Sequence, residues 1–70
     1  MKDFCKQLRI INWSLEKIIC GNVPEGFPTE ILANIELEFS KAVNWVANEK
    51  NINVPNPMFS DEIDHILESV

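Results

Sequence analysis

The side chains best suited to chemistry in this chain are its one histidine, its two cysteines and the carboxylates near its C-terminus. Asp61, His65 and Glu68 are spaced at i, i+4 and i+7, so a helix places all three on one face, where they could contact a metal ion. There is no second histidine, and Cys5 and Cys20 are far from this group in sequence, so the other ligands of a tetrahedral site are lacking. We therefore expect a solvated polar face, with no metal and no cofactor.

Either cysteine could instead pair with His65 as thiolate and imidazole. Such a nucleophile needs a third group that orients the base and a pocket for substrate, which so short a helical chain rarely supplies, and we expect no enzymatic activity. If Cys5 and Cys20 lie on one helix, a rise of about 1.5 Å per residue separates them by roughly 22 Å, too far for a disulfide. Unpaired thiols and the lack of a continuous apolar N-terminal segment predict a cytoplasmic protein.

Length and charge narrow the class of protein further. The 70 residues suffice for one domain, and a hydrophobic fraction of 46% is that of a folded chain. The net charge of −5 repels phosphate backbones and anionic lipid, so we expect no nucleic-acid binding, whereas a basic partner would be attracted. No run approaches the roughly 20 apolar residues of a membrane span.

Apolar periodicity predicts an all-α fold with three helices. Helix 1 covers about residues 3–20, with Asp3 as its N-cap and Gly21 as a left-handed end. Helix 2 covers about residues 28–50 and returns antiparallel to helix 1. Residues 51–58 form an extended strap, and a short helix 3, capped by Ser60, covers 60–70, in a direction that the sequence leaves open. The expected architecture is a small three-helix bundle, a helical hairpin with a third helix strapped onto it.

Helices 1 and 2 carry the apolar stripes that should form the core. The stripe of helix 1 consists of Phe4, Leu8, Ile11, Leu15, Ile18 and Ile19. Its expected partner on helix 2 is a seam of Leu32, Ile35, Phe39, Ala42 and Val46. A second, half-polar seam follows Ala33, Leu37, Ser40, Asn44 and Ala47. Because the second seam needs a cover of its own, helix 3, a second copy or a foreign protein is expected to lie on it.

Two apolar residues of helix 1, Ile10 and Trp13, lie off its stripe among cations that include Lys17. Three interpretations stay open: helix 3 or the strap covers them, a partner protein binds them, or they insert into a membrane surface. For the partner we predict contacts at these three residues of helix 1. On helix 2 the predicted contacts are Leu37, Lys41 and Asn44.

The function expected from these features is that of a small acidic regulator, inhibitor or adaptor that occludes a surface of another protein. The alternative is a structural homo-oligomer, such as a homodimer, in which the second seam packs on its copy and Asn44 fixes the register. A weaker alternative is reversible membrane-surface binding through helix 1. A DNA-reading helix-turn-helix does not fit, because the connection between helices 1 and 2 is long and helix 2 carries few cations.

Overall fold

The structure, a computed structural model, describes all 70 residues as three α-helices joined by two connections. Helix α1 spans Lys2–Lys17 and continues into one π-helical turn, Ile18–Asn22. Helix α2 spans Thr29–Glu49, and helix α3 spans Ser60–Glu68. The chain forms no strand, and the three helices pack on one another, so the predicted all-α fold is confirmed.

The helix ends differ in detail from the predicted caps. At the start of α1, Met1 occupies the N-cap position in place of Asp3, and its carbonyl accepts a hydrogen bond from the Cys5 N–H at 2.9 Å. At the start of α3, Phe59 occupies the N-cap position and Ser60 is the first helical residue. The Glu62 carboxylate accepts a hydrogen bond from the Phe59 N–H at 3.1 Å, which satisfies one of the free donors at this helix end.

The end of α1 is also not the predicted one. Gly21 has φ 167°, an extended φ rather than the left-handed conformation, and it lies within the π-helical turn. The glycine with a left-handed φ is Gly26, at 88°, in the turn that leads into α2. Glycine is suited to this turn because a Cβ at positive φ is strained.

The direction of α3, which the sequence leaves open, follows from its contacts with α1. The Nδ2 of Asn12 donates a hydrogen bond to the Ser60 carbonyl oxygen at 3.0 Å. The Nε of Arg9 lies 3.0 Å from Oδ1 of Asp64. Contacts therefore move towards the start of α1 as α3 proceeds, so α3 runs antiparallel to α1. It packs most extensively against α1 and also contacts α2.

The core lies between the first half of α1, the second half of α2, and α3. Only 10 of the 70 residues are buried, and nine of them are apolar. These nine are Cys5, Leu8, Phe39, Val43, Val46, Ala47, Ile63, Ile66 and Leu67. The strap packs against them through Ile52, Val54 and Met58. Because residues near the start of α1 meet residues near the end of α2, these helices form the predicted antiparallel hairpin.

On α1 the predicted apolar stripe is only partly the core face. Leu8 is buried, but Phe4 and Ile11 are 48% and 44% exposed, while Cys5 and Asn12 are buried in their place. The reason is the position of α3, which lies beside Arg9 and Asn12 and turns the buried side of the helix away from Phe4 and Ile11.

On α2 the predicted seam is buried at one end and open at the other. Phe39 and Val46 are core residues, Leu32 and Ala42 are half-buried, and Ile35 is 44% exposed. The open end follows from helix lengths, because at about 1.5 Å per residue α3 reaches only about 14 Å whereas α2 reaches about 32 Å. We call the part of the hairpin beyond α3, residues 15–38, the distal half.

The dimensions of the molecule reflect this projection. The radius of gyration is 12.6 Å, above the about 11 Å expected for a compact chain of this length. The principal extents are 40 × 21 × 16 Å. The distal half is therefore a two-helix projection without a third helix beside it.

Candidate functional site

A cleft of about 250 Å³ opens beside the N-terminus of α3, at the base of the distal half. Its walls come from the end of α1, the middle of α2 and the residues around the start of α3. The lining residues are Asn12, Leu15, Glu16, Ile19, Cys20, Glu36, Phe39, Ser40, Met58, Phe59, Ser60 and Ile63. More than half of them are apolar, so the cleft can take an apolar side chain from outside.

Helical spacing places the apolar walls of the cleft. Leu15 and Ile19 are four residues apart and so project from the same side of α1 and its π-helical continuation. Phe39 faces them from α2, with its side chain mostly in the core. Phe59, the residue before α3, forms the outer edge and is 63% exposed. Ile19 is 44% exposed, so two large apolar side chains are left in water at this opening.

Two carboxylates line the cleft together with these apolar groups. Glu16 accepts a hydrogen bond from the Ser60 hydroxyl at 2.8 Å, which fixes its position beside α3. Glu36 stands on the α2 side and has no ion-pair partner within the chain. The cleft therefore combines apolar walls with negative charge, and it contains no Lys, Arg or His.

The residues with the types needed for catalysis or metal binding do not converge. Cys5 is buried in the core, Cys20 is exposed in the cleft, and both are free thiols, in agreement with the prediction that they cannot be bridged. His65 is exposed on α3 and does not line this cleft. No group of three or more His, Cys, Asp and Glu side chains is arranged to hold a metal ion.

Trp13 belongs to a polar contact that joins α1 to α3. Its Nε1 donates a hydrogen bond to Oδ1 of Asp64 at 3.0 Å, and the same carboxylate binds Arg9. The Arg9 guanidinium carbon lies 5.2 Å from the centre of the Trp13 ring, within cation–π range. The hydrogen bond to Asp64, and then the charges of Asp64 and Glu68, raise the pKa of Arg9 above its ordinary value. Trp13 is nevertheless 45% exposed, so α3 covers only one side of it.

The predicted partner contacts on α1 lie along its outer edge. Ile10 is 43% exposed, and Lys17 is exposed at the last position of the helix. At 3.6 residues per turn, positions 10, 13 and 17 fall on one side of the helix, so these two residues and Trp13 occupy a narrow sector of α1. The buried residues of α1 lie on a different side, so this sector faces away from the core and from α2.

The predicted contacts on α2 lie on the opposite edge of the hairpin. Leu37 is 55% exposed, and the Lys41 ammonium forms an ion pair with Glu38 at 3.2 Å. Asn44 is exposed and lies beside the strap. The two predicted groups therefore do not form one site, and partner binding through either stays a prediction.

The second seam of α2 is also divided. Ala47 is in the core, and Ser40 and Asn44 lie next to strap residues Val54 and Met58. The strap thus covers one side of this seam, a role for which helix 3, a second copy or a foreign protein was expected. Leu37 stays in water.

Sequence reasoning missed the cleft and the contacts that position it. Asn12 is not among the predicted site residues, yet it is the one buried polar residue. Its side-chain amide donates a hydrogen bond to the backbone at the start of α3. An asparagine within an apolar stripe, at i+4 from Leu8, is the signal that could have located the α3 contact.

Comparisons with protein-family models, with curated proteins and with solved structures each return no match. No helix combines the length and the apolar content that crossing a bilayer requires.

Proposed function

We propose that this chain is a non-enzymatic protein-binding module that acts as a small regulator, inhibitor or adaptor by covering a surface of another protein. The observation that carries the proposal is the cleft at the base of the distal half. Ile19 and Phe59 stand at its opening, 44% and 63% exposed. Apolar side chains left in water around a concave site favour a ligand that supplies apolar groups.

The charges in and around the cleft favour a basic ligand. Glu16 and Glu36 are the charged residues of the lining, and the whole chain carries −5. Complementary potential speeds the encounter with a cationic partner and disfavours acidic ones. We therefore propose an amphipathic, basic segment of a partner protein as the ligand.

The shape of the cleft favours a helical segment. The cleft begins at Ser60, where α3 starts, and extends along α1 from Leu15 to Cys20. A ligand helix placed there would continue the line of α3 and would supply the third helix that the distal half lacks. Laying an apolar face into a groove between helices is a common mode of peptide recognition. Binding would cover this segment of the partner protein, and the partner would be regulated because the segment is no longer accessible.

The proposal can be tested with a synthetic helical peptide of leucine and lysine repeats, titrated into the protein and followed by calorimetry. We expect binding that is weakened about 10-fold or more by Ile19→Ser, because an apolar contact is replaced by a hydroxyl. Ile31→Ser is the matched control, since Ile31 is the same residue type, is 45% exposed and lies away from the cleft.

A second peptide with the same lysines and serine in place of leucine separates apolar recognition from charge attraction alone. We expect it to bind much more weakly than the leucine peptide. Equal binding of both peptides, or equal effects of Ile19→Ser and Ile31→Ser, would contradict the proposed cleft. The predicted contacts at Ile10, Trp13 and Lys17 are tested in the same titration by Trp13→Ala, with helicity checked by circular dichroism.

A further inference from the structure

The carboxylates that line the cleft keep oxygens free to accept hydrogen bonds from a ligand. Glu16, on the α1 wall, accepts a hydrogen bond from the Ser60 hydroxyl at Oε2, and its other oxygen has no partner within the chain. Glu36, on the α2 wall, takes part in no ion pair. The cleft therefore presents free carboxylate oxygens from two different helices to a group that enters it.

A third free acceptor belongs to Asn12, which is only 5% exposed and lines the same cleft. Its amide nitrogen donates to the Ser60 carbonyl oxygen, whereas its amide oxygen, Oδ1, accepts no hydrogen bond within the chain. Every fully buried side-chain oxygen of the chain has a partner, so Oδ1 is in contact with solvent, and the cleft is the cavity that this residue lines. An enclosed acceptor without a partner favours a ligand that donates hydrogen bonds.

No cation of the chain neutralises this set of acceptors. The cleft is lined by no Lys, Arg or His. Arg9 lies two helical turns before Glu16, on the same side of α1, but its guanidinium is held by Asp64 of α3 at 3.0 Å. The positive charge that complements the cleft must therefore come from the ligand.

The arrangement of the acceptors distinguishes between the two basic side chains. The free oxygens of Asn12, Glu16 and Glu36 approach the cleft from both helices of the hairpin. A guanidinium carries its N–H donors in a planar fork and can donate to several sides at once. An ammonium is a compact point charge at the end of a flexible stem, so it gains less from acceptors that are fixed on opposite walls.

The apolar walls of the cleft favour a guanidinium for a second reason. The ring of Phe59 is 63% exposed at the outer edge, and Ile19 is 44% exposed beside it. A cation that enters between these groups loses part of its hydration. A guanidinium is more weakly hydrated than an ammonium and can stack on an aromatic ring, so it enters such a site at a lower cost.

We propose that the cleft binds an arginine side chain of the partner protein, with its guanidinium between the carboxylates of Glu16 and Glu36. This inference rests on the proposed function, because it specifies one residue of the basic, amphipathic segment. Glu36 determines the specificity, since its carboxylate is free of ion pairs, whereas Glu16 is already oriented by Ser60. The apolar residues of the same segment lie against Leu15 and Ile19.

Calorimetry of the full chain with two peptides tests the proposal. The first peptide is the helix of leucine and lysine repeats, and in the second every lysine is replaced by arginine. We expect the arginine peptide to bind about 5-fold more tightly or better. Glu36→Gln should reduce this preference to about 2-fold or less, because a neutral amide replaces the free carboxylate. Glu30→Gln is the matched control and should keep the preference, since Glu30 is also exposed on α2 but does not line the cleft.

The possible results separate the arginine site from the proposed function. Equal affinity of the two peptides for the wild-type chain, or an equal loss of preference in Glu36→Gln and Glu30→Gln, would overturn the arginine site. The cleft would still be a protein-binding site in that case, provided that Ile19→Ser weakens the binding of both peptides. If neither peptide binds the wild-type chain, the arginine site and the proposed function are both contradicted. Circular dichroism verifies that each variant is as helical as the wild-type chain.

Discussion

The effect of changing leucine to alanine can be compared directly at a buried and at an exposed position of this chain. Leu67 on α3 is 3% exposed and belongs to the core, whereas Leu37 on α2 is 55% exposed. Changing Leu67 to Ala removes the same atoms as changing Leu37 to Ala. The structure predicts that the two substitutions differ widely in their effect on the free energy of unfolding.

The expected magnitudes follow from burial. A chain of this length has a stability of about 4–10 kcal/mol. Leu67→Ala should cost about 2–5 kcal/mol, the range for leucines in a packed core, so it removes about a fifth or more of the total. Leu37→Ala should change stability by about 0.5 kcal/mol or less, because its side chain is largely in water and alanine favours the helix. Leu8, 6% exposed, should resemble Leu67.

Urea unfolding followed by circular dichroism at 222 nm measures these differences. All variants are compared at one protein concentration, because the unfolding midpoint of any chain that self-associates would depend on concentration. Equal destabilisation by Leu37→Ala and Leu67→Ala would refute the assignment of the core. It would mean that a second copy or another part of the chain covers Leu37.

Three further predictions concern the contacts around α3 and the two thiols. Asn12→Ala should destabilise the chain by about 1–2 kcal/mol in the same urea experiment, because a buried amide that binds α3 is lost, whereas Asn12→Leu should cost less. Cys20 should react with a maleimide at the rate of a free thiol while Cys5 reacts only as the chain unfolds, and mass spectrometry of the labelled peptides distinguishes the two. Asp64→Asn should shift the indole N–H resonance of Trp13 in a nuclear magnetic resonance spectrum, because its hydrogen-bond acceptor loses its charge; an unchanged resonance would contradict this contact.

Much of the fold could be predicted because local patterns fix it. Helical spacing, Gly26 with Pro28 in the connection, and the prolines of the strap mark three helices within a few residues of their ends. The length of the connection, residues 21–27, lets α2 return antiparallel along α1. These features depend on neighbouring residues and need no knowledge of distant contacts.

The side of each helix that is buried could not be predicted in the same way. An amphipathic pattern allows a range of about 100° for the core face, and the position of α3 selects within it. On α1 that position favours Asn12 over Ile11, because α3 brings a backbone carbonyl to Asn12. The cleft results from this placement, so it was not visible in the spacing of the residues alone.

The most direct test of the proposed function is photo-crosslinking in the native host. A photoreactive amino acid is placed at Phe59, at the opening of the cleft, and in a second variant at Asn48, exposed on α2 away from the cleft. We predict that position 59 gives a covalent adduct with one host protein through a basic, amphipathic segment, and that position 48 gives none. Adducts at both positions with unrelated proteins, or none at position 59 while the chain is folded and expressed, would contradict the assignment of this chain as a protein-binding module that acts through its cleft.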